Sequence, residues 1–164
     1  MIVLTERAVE RQRLRSAAGR GEDRATTVVG WDGSDAARSA LDYAVRRAGV
    51  DGGRLVAVCA YDAPTSFLGA PYYGRALEDS QARARELLAE LERDWDAEIA
   101  IDTDLAEGSA AQALVRAAAA HDARELVVGS RGLGRFRAAL GSVSHELLHR
   151  ADCPVAVVPA PERA

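Results

Sequence analysis

From Thr26 to Val158 the chain alternates short apolar, β-branched runs with longer segments whose apolar residues recur at helical spacing. A run that is apolar at consecutive positions suits a strand buried on both faces, and strands separated by helices are joined by crossovers. Together these demand an α/β fold: an open parallel sheet with helices on both faces. The pattern predicts strands over Thr26 to Trp31, Leu55 to Ala60, Glu98 to Leu105, Glu125 to Gly129 and Val155 to Val158, the third interrupted by Asp102 and Asp104. Ser34 can cap a first helix with Ala37, Leu41, Ala44, Val45 and Ala48 on its inner face, stopped by Gly52-Gly53. A second helix is expected over Arg75 to Trp95 with Leu77, Ala84, Leu87, Leu88 and Leu91 inward, a third over Ala110 to His121 opened by Gly108-Ser109, and a fourth over Ser142 to Ala151. Tyr61 to Gly74, which contains Pro64, Gly69 and Pro71, reads as an irregular loop over one end of the sheet.

Right-handed crossovers leave few strand orders open, and ligands of such sheets collect at the carboxyl ends of strands where the winding reverses. If the first and fourth strands are neighbours there, Asp32 and Gly129 face a common crevice.

The 164 residues make one domain, residues 25–160, between a mobile extension, 1–24, and a short tail, 161–164. The extension is rich in arginine and glutamate and carries only a thin apolar stripe. A net charge of −4 gives no surplus for a nucleic-acid backbone. No apolar stretch approaches the roughly 20 residues that span a bilayer, and the opening apolar run is too short for a signal peptide, so a soluble cytoplasmic protein is expected. All 21 basic residues are arginine, which excludes a Walker lysine, a Schiff-base lysine and a lysine general base. Cys59 and Cys153 lie in apolar runs without Cys-x-x-Cys spacing and read as buried, reduced thiols.

The chemistry concentrates after the fourth strand. Gly129-Ser130-Arg131-Gly132 and Gly141-Ser142-Val143-Ser144 bracket a loop whose backbone N–H groups, with the start of the last helix, suit an anion. Arg131, Arg135 and Arg137 can add fork-shaped charge pairing. Familiar phosphate motifs fail by inspection: Arg137 stands where a dinucleotide fingerprint needs glycine, Arg135-Phe136 where a Walker loop needs lysine, and Val128 where a nucleophile elbow needs glycine. Spacing alone leaves two readings open, a phosphate cradle or merely a tight turn, a helix cap and solvating arginines. Asp32 is similarly either the partner of a sugar hydroxyl or metal ion, or a turn aspartate before Gly33. His145-Glu146-Leu147-Leu148-His149 fits the zinc-peptidase pattern H-E-x-x-H, but only Asp152 and Glu162 follow as candidate third ligands. His121 suits the negative end of the third helix. With no evident general base and no metal site expected, any phosphate hydrolysis should be slow and the chain is not expected to be an efficient enzyme.

Val28-Val29-Gly30-Trp31-Asp32-Gly33-Ser34, Gly129-Ser130-Arg131-Gly132, Gly141-Ser142-Val143-Ser144 and Cys153-Pro154-Val155-Ala156-Val157-Val158 resemble the universal stress protein family (UspA-like) over about Ala25 to Pro159. The resemblance implies a five-stranded parallel sheet in the order 3-2-1-4-5, ATP with magnesium as ligand, and a homodimer joined through Val155, Ala156, Val157 and Val158, acting in the stress response on an unidentified protein client. The implied site comprises Gly30, Trp31, Asp32 and Ala60 on the ribose and adenine side, and Val128, Gly129, Arg131, Gly132, Gly141, Ser142, Val143 and Ser144 along the ribose and phosphates. The family's pattern G-x2-G-x9-G-[ST] is one residue short here, because eight residues, Leu133 to Leu140, separate the second and third glycines. Members lacking the pattern tend to dimerise without nucleotide, so a non-nucleotide interaction module of the same fold is the alternative.

Overall fold

The computed structural model describes residues 2–3, 9, 25–62, 69–96, 98–130 and 141–161. Its strands are β1 (Ile2–Val3), β2 (Thr26–Gly30), β3 (Arg54–Tyr61), β4 (Ile101–Glu107), β5 (Glu125–Gly129) and β6 (Val155–Val158). Its helices are α1 (Asp35–Asp51), α2 (Gly69–Arg93), α3 (Ala110–Ala120) and α4 (Ser142–Arg150). They form one sheet in the order β1-β6-β5-β2-β3-β4. The strands β2 to β6 run parallel and, counted alone, have the order 3-2-1-4-5.

Consecutive apolar residues in these strands are divided between two cores, as a side-chain period of two requires. Val28, Val56, Leu126 and Val155 pack with Leu114 of α3 and Leu147 of α4 on one face. Val29, Leu55, Ala57, Val127 and Ala156 pack with Ala40 and Ala44 of α1 and Leu88 of α2 on the other.

Local chemistry fixes the helix ends. Ser34 accepts a hydrogen bond from the Ala37 N–H at 3.2 Å, and Gly52, at φ 63°, closes α1 in the left-handed conformation that glycine adopts without strain. Ser109 precedes α3 but makes no such side-chain bond, and its buried hydroxyl has no partner among the described residues. His121 ends α3, its N–H reaching Ala117 and Ala119 carbonyls.

Most element ends fall within one or two residues of the sequence reading, and three features depart further. α2 begins at Gly69, so residues 69–74 of the expected loop are helical; Pro71 falls in the first turn, where its missing N–H costs no helical bond. Residues 63–68 of that loop lie outside the described residues. β4 is shifted toward the carboxyl end because it is the sheet's edge: Asp102 projects to pair with Arg54 on β3, and the strand needs no continuous apolar run. The third correction concerns β1. It pairs antiparallel with β6, placing Ile2 opposite Ala156 and Val3 opposite Val155, so the β6 edge expected to join two copies is covered there and two residues of the extension belong to the sheet.

Candidate functional site

The winding reverses between β2 and β5, which are paired neighbours, Val29 opposite Val127. At the carboxyl ends of the central strands lies a cavity of about 440 Å³, within the range typical of small-molecule sites. β2 and its following turn contribute Gly30, Trp31, Asp32 and Ser34; β3 contributes Cys59, Ala60 and Tyr61; β5 contributes Val128 and Gly129. Val143 reaches it from the first turn of α4.

Trp31 forms a fixed wall. Its indole is only 6% exposed, its Nε1–H donates to the Leu87 carbonyl of α2 at 3.1 Å, and the Arg38 guanidinium carbon lies 5.7 Å from the ring centroid. Its backbone N–H donates to the Val58 carbonyl at 2.8 Å, tying the turn to β3. Asp32 is exposed on the cavity margin, where Oδ1 accepts the Ser34 N–H at 3.0 Å. The aspartate therefore shapes the turn, as one of its two readings has it, and lines the cavity.

Gly129 is required by packing: an added Cβ would stand 2.7 Å from the Ala36 carbonyl carbon and 2.8 Å from its oxygen. This glycine lets α1 cross close over the end of β5. Gly30 is tight in a softer way, since its nearest neighbours at 3.1 Å are side-chain carbons of Leu114 and Val128.

The start of α4 is pinned to the end of β5. Ser130 donates from its N–H to the Val158 carbonyl at 2.7 Å and accepts the Gly141 N–H at 2.8 Å. The Ser144 hydroxyl, in a side chain 1% exposed, donates to Gly141 O at 3.0 Å, with Ser130 O at 3.5 Å. It is spent on this joint and does not line the cavity. The first intrahelical bond of α4 runs from His145 N–H to Gly141 O at 2.9 Å, so the N–H groups of Ser142, Val143 and Ser144 belong to the opening turn that helices leave to external acceptors. Arg131 and Gly132 lie outside the described residues, as do Arg135, Arg137 and the rest of Leu133 to Leu140.

The sequence reading missed the wall built by α2, where Ser80 and Arg83 join Ala84 and Leu87 at the cavity, and the contribution of Ala110 and Leu114 from α3. Ser80 and Arg83 look like ordinary solvent-facing helix residues; only their helical spacing from Ala84 and Leu87 gives a signal. Arg83 is the one cationic residue lining the cavity among the described residues, opposite in sign to Asp32 and Asp62.

Burial, and secondarily the Asp32 carboxylate, push the Cys59 thiol up to about 11 from 9.0. In the unfolded chain that proton leaves first, so stability is fully present below pH 9.0 and falls as pH rises through the window to about 11. Tyr43, raised from 10.0 by burial first and then by the Glu125 charge, adds a loss of the same sign above its ordinary value. Denaturant midpoints should therefore fall between about pH 8 and about pH 10.5, and Cys59→Ala should flatten part of that slope.

His145 and His149 lie on the outer side of α4 with ring centroids 4.9 Å apart, and Glu146 pairs with Arg150 at 2.6 Å. Among the described residues no group of three or more metal-ligating side chains occurs. Likewise, no helix among them is long and apolar enough to cross a membrane.

Comparison with known proteins agrees with this architecture. Residues 24–159 match the sequence model described as the universal stress protein family. A universal stress protein of Thermus aquaticus is 35% identical over 140 residues, spanning 81% of this chain and 97% of that protein. The solved UspA structure from Lactobacillus plantarum has a TM-score of 0.70 at 23% identity, over 84% of this chain and 99% of its own. A universal stress protein solved in complex with cAMP has a TM-score of 0.59 at 28% identity, over 84% of this chain and 98% of its own. By its motifs, its sheet order and the family match across the whole sheet-forming segment from β2 to β6, the chain belongs to the universal stress protein family.

Proposed function

We propose that the cavity binds an adenine nucleotide, ATP with magnesium, and that the chain is a homodimeric regulatory module of the stress response whose nucleotide occupancy alters its choice of protein client. One observation carries the reading: Asp32, Ala60, Val128, Gly129 and Val143, drawn from three strand ends and the start of α4, surround a single cavity. The relative solved with cAMP supports an adenine nucleotide as the ligand class.

In this reading Asp32 accepts from the ribose hydroxyls, and Ala60 borders the base. Gly129 and Gly132 lie along the ribose and phosphates. The backbone donors of Ser142, Val143 and Ser144, at the positive end of α4, hold the phosphates, and Gly141, whose own N–H is bonded to Ser130 O, sets the start of that turn. The hydroxyl of Ser142 remains available for them, whereas that of Ser144 is engaged by Gly141 O. The one-residue shortening is compatible with this cradle, because the Gly141 N–H bond to Ser130 O keeps α4 beside β5. The homodimer uses Val155 to Val158, and magnesium enters with the triphosphate.

Equilibrium dialysis against Mg-ATP tests the assignment of Asp32. The wild-type chain should bind with micromolar affinity, and Asp32→Ala should weaken binding by roughly tenfold to a hundredfold, the loss of one or two charge-assisted hydrogen bonds. Because Asp32 is exposed and its side chain makes one structural bond, from the Ser34 N–H, the variant should lose only about 1 kcal/mol of stability and stay folded in the assay. Equal affinities would remove Asp32 from the site.

A further inference from the structure

β1 lies outside the segment that matches the family, residues 24–159, yet it occupies the edge of β6. Its ladder registers only two residues, Ile2 with Ala156 and Val3 with Val155. In the sheet, β1 is three positions from β2, a separation of about 14 Å at normal strand spacing. Residues 4–25 join them, a length of chain that reaches about 70 Å when extended. The tether is far longer than the span it must cover, so β1 can leave its place without drawing on β2.

The direction of pairing matters as much as its length. β1 runs antiparallel to β6, the direction that two copies of one strand adopt across a twofold axis. The position it holds on Val155 and Ala156 is therefore the position that a second copy's β6 would take. β6 is also the stronger occupant, with four strand residues against two.

We propose that β1 is a tethered placeholder on the dimer edge: a second copy's β6 displaces Ile2 and Val3, and this competition sets the concentration at which the chain dimerises. The inference rests on the homodimer reading above. A tethered strand competes at an effective concentration in the millimolar range, so it raises the apparent dissociation constant of the dimer without touching the dimer contact itself.

The test uses the full chain carrying Ile2→Pro together with Val3→Pro, which removes the one N–H that β1 turns toward β6, that of Val3 opposite Val155, while leaving β6 intact. Sedimentation velocity over a concentration series should give a dimer dissociation constant about tenfold lower for the variant than for wild type. At concentrations where both are monomeric, the Val155 amide, which faces β1, should exchange faster in the variant, while the Ala156 amide, which faces β5, should not change. Equal dissociation constants would overturn the placeholder and leave the homodimer standing. A weaker variant dimer would also overturn it, by showing that β1 helps to build the interface. If neither chain dimerises, the homodimer reading fails and the placeholder with it.

Discussion

Replacing Trp31 by alanine should lower stability by about 3–5 kcal/mol, the usual cost of deleting a large buried aromatic side chain. Trp31 is 6% exposed and belongs to the core shared by α1, α2 and one face of the sheet. Its neighbours are held by β2, α1 and α2, which restricts how far they can close over the space left. At about 2–4 °C per kcal/mol for a chain of this size, the unfolding temperature should drop by roughly 10 °C or more. Trp31→Phe separates the two contributions of the side chain. It keeps most of the apolar volume and removes the Nε1–H bond to Leu87 O, which should cost about 1 kcal/mol. An alanine variant melting within about 2 °C of wild type would show that the indole is not the wall described.

Gly129→Val should also destabilise, by about 1–3 kcal/mol or more, for a different reason. The new Cβ would meet Ala36 backbone atoms at 2.7–2.8 Å, and backbone cannot rotate aside as a side chain can. Removing glycine lowers unfolded-state entropy and returns about 0.4–1 kcal/mol, too little to reverse the sign. Gly129→Ala should already show most of the effect, while Gly30→Ala should be milder because its neighbours are rotatable side chains of Leu114 and Val128. Ala36→Gly should rescue Gly129→Ala only partly, since the Ala36 carbonyl stays in place. Full rescue, measured by denaturant midpoints, would mean that only the Ala36 methyl is in the way.

These two positions also indicate what the sequence discloses. β5 and β6 coincide with their predicted spans because strands buried on both faces are apolar at every position and bounded by polar or turn residues. An edge strand has no such signature, which is why β4, with Asp102 paired to Arg54, is displaced from its expected place. Gly69, Pro71 and Gly74 suggest a loop by local preference, yet a first-turn proline and tertiary packing of Ala84, Leu88 and Leu91 carry the helix through them. β1 is illegible from sequence, since two residues define no period.

The candidate site divides along the same line. Asp32 and Gly129 are legible because the fold class says where such sheets gather ligands, while Gly30, Trp31, Ala60 and Val128 follow only from the family resemblance; all six line the cavity. Ser80 and Arg83 are not, because a helix wall carries no motif. The Ser144 hydroxyl is the opposite case: its sequence neighbours suggest phosphate, while burial turns it to Gly141 O and Ser130 O.

Isothermal titration of the full wild-type chain with Mg-ATP tests the central claim most directly. With protein at tens of micromolar, the account predicts saturable heat at about one nucleotide per chain with a micromolar dissociation constant. No heat at millimolar ATP would contradict it, leaving a universal stress protein fold that acts without nucleotide.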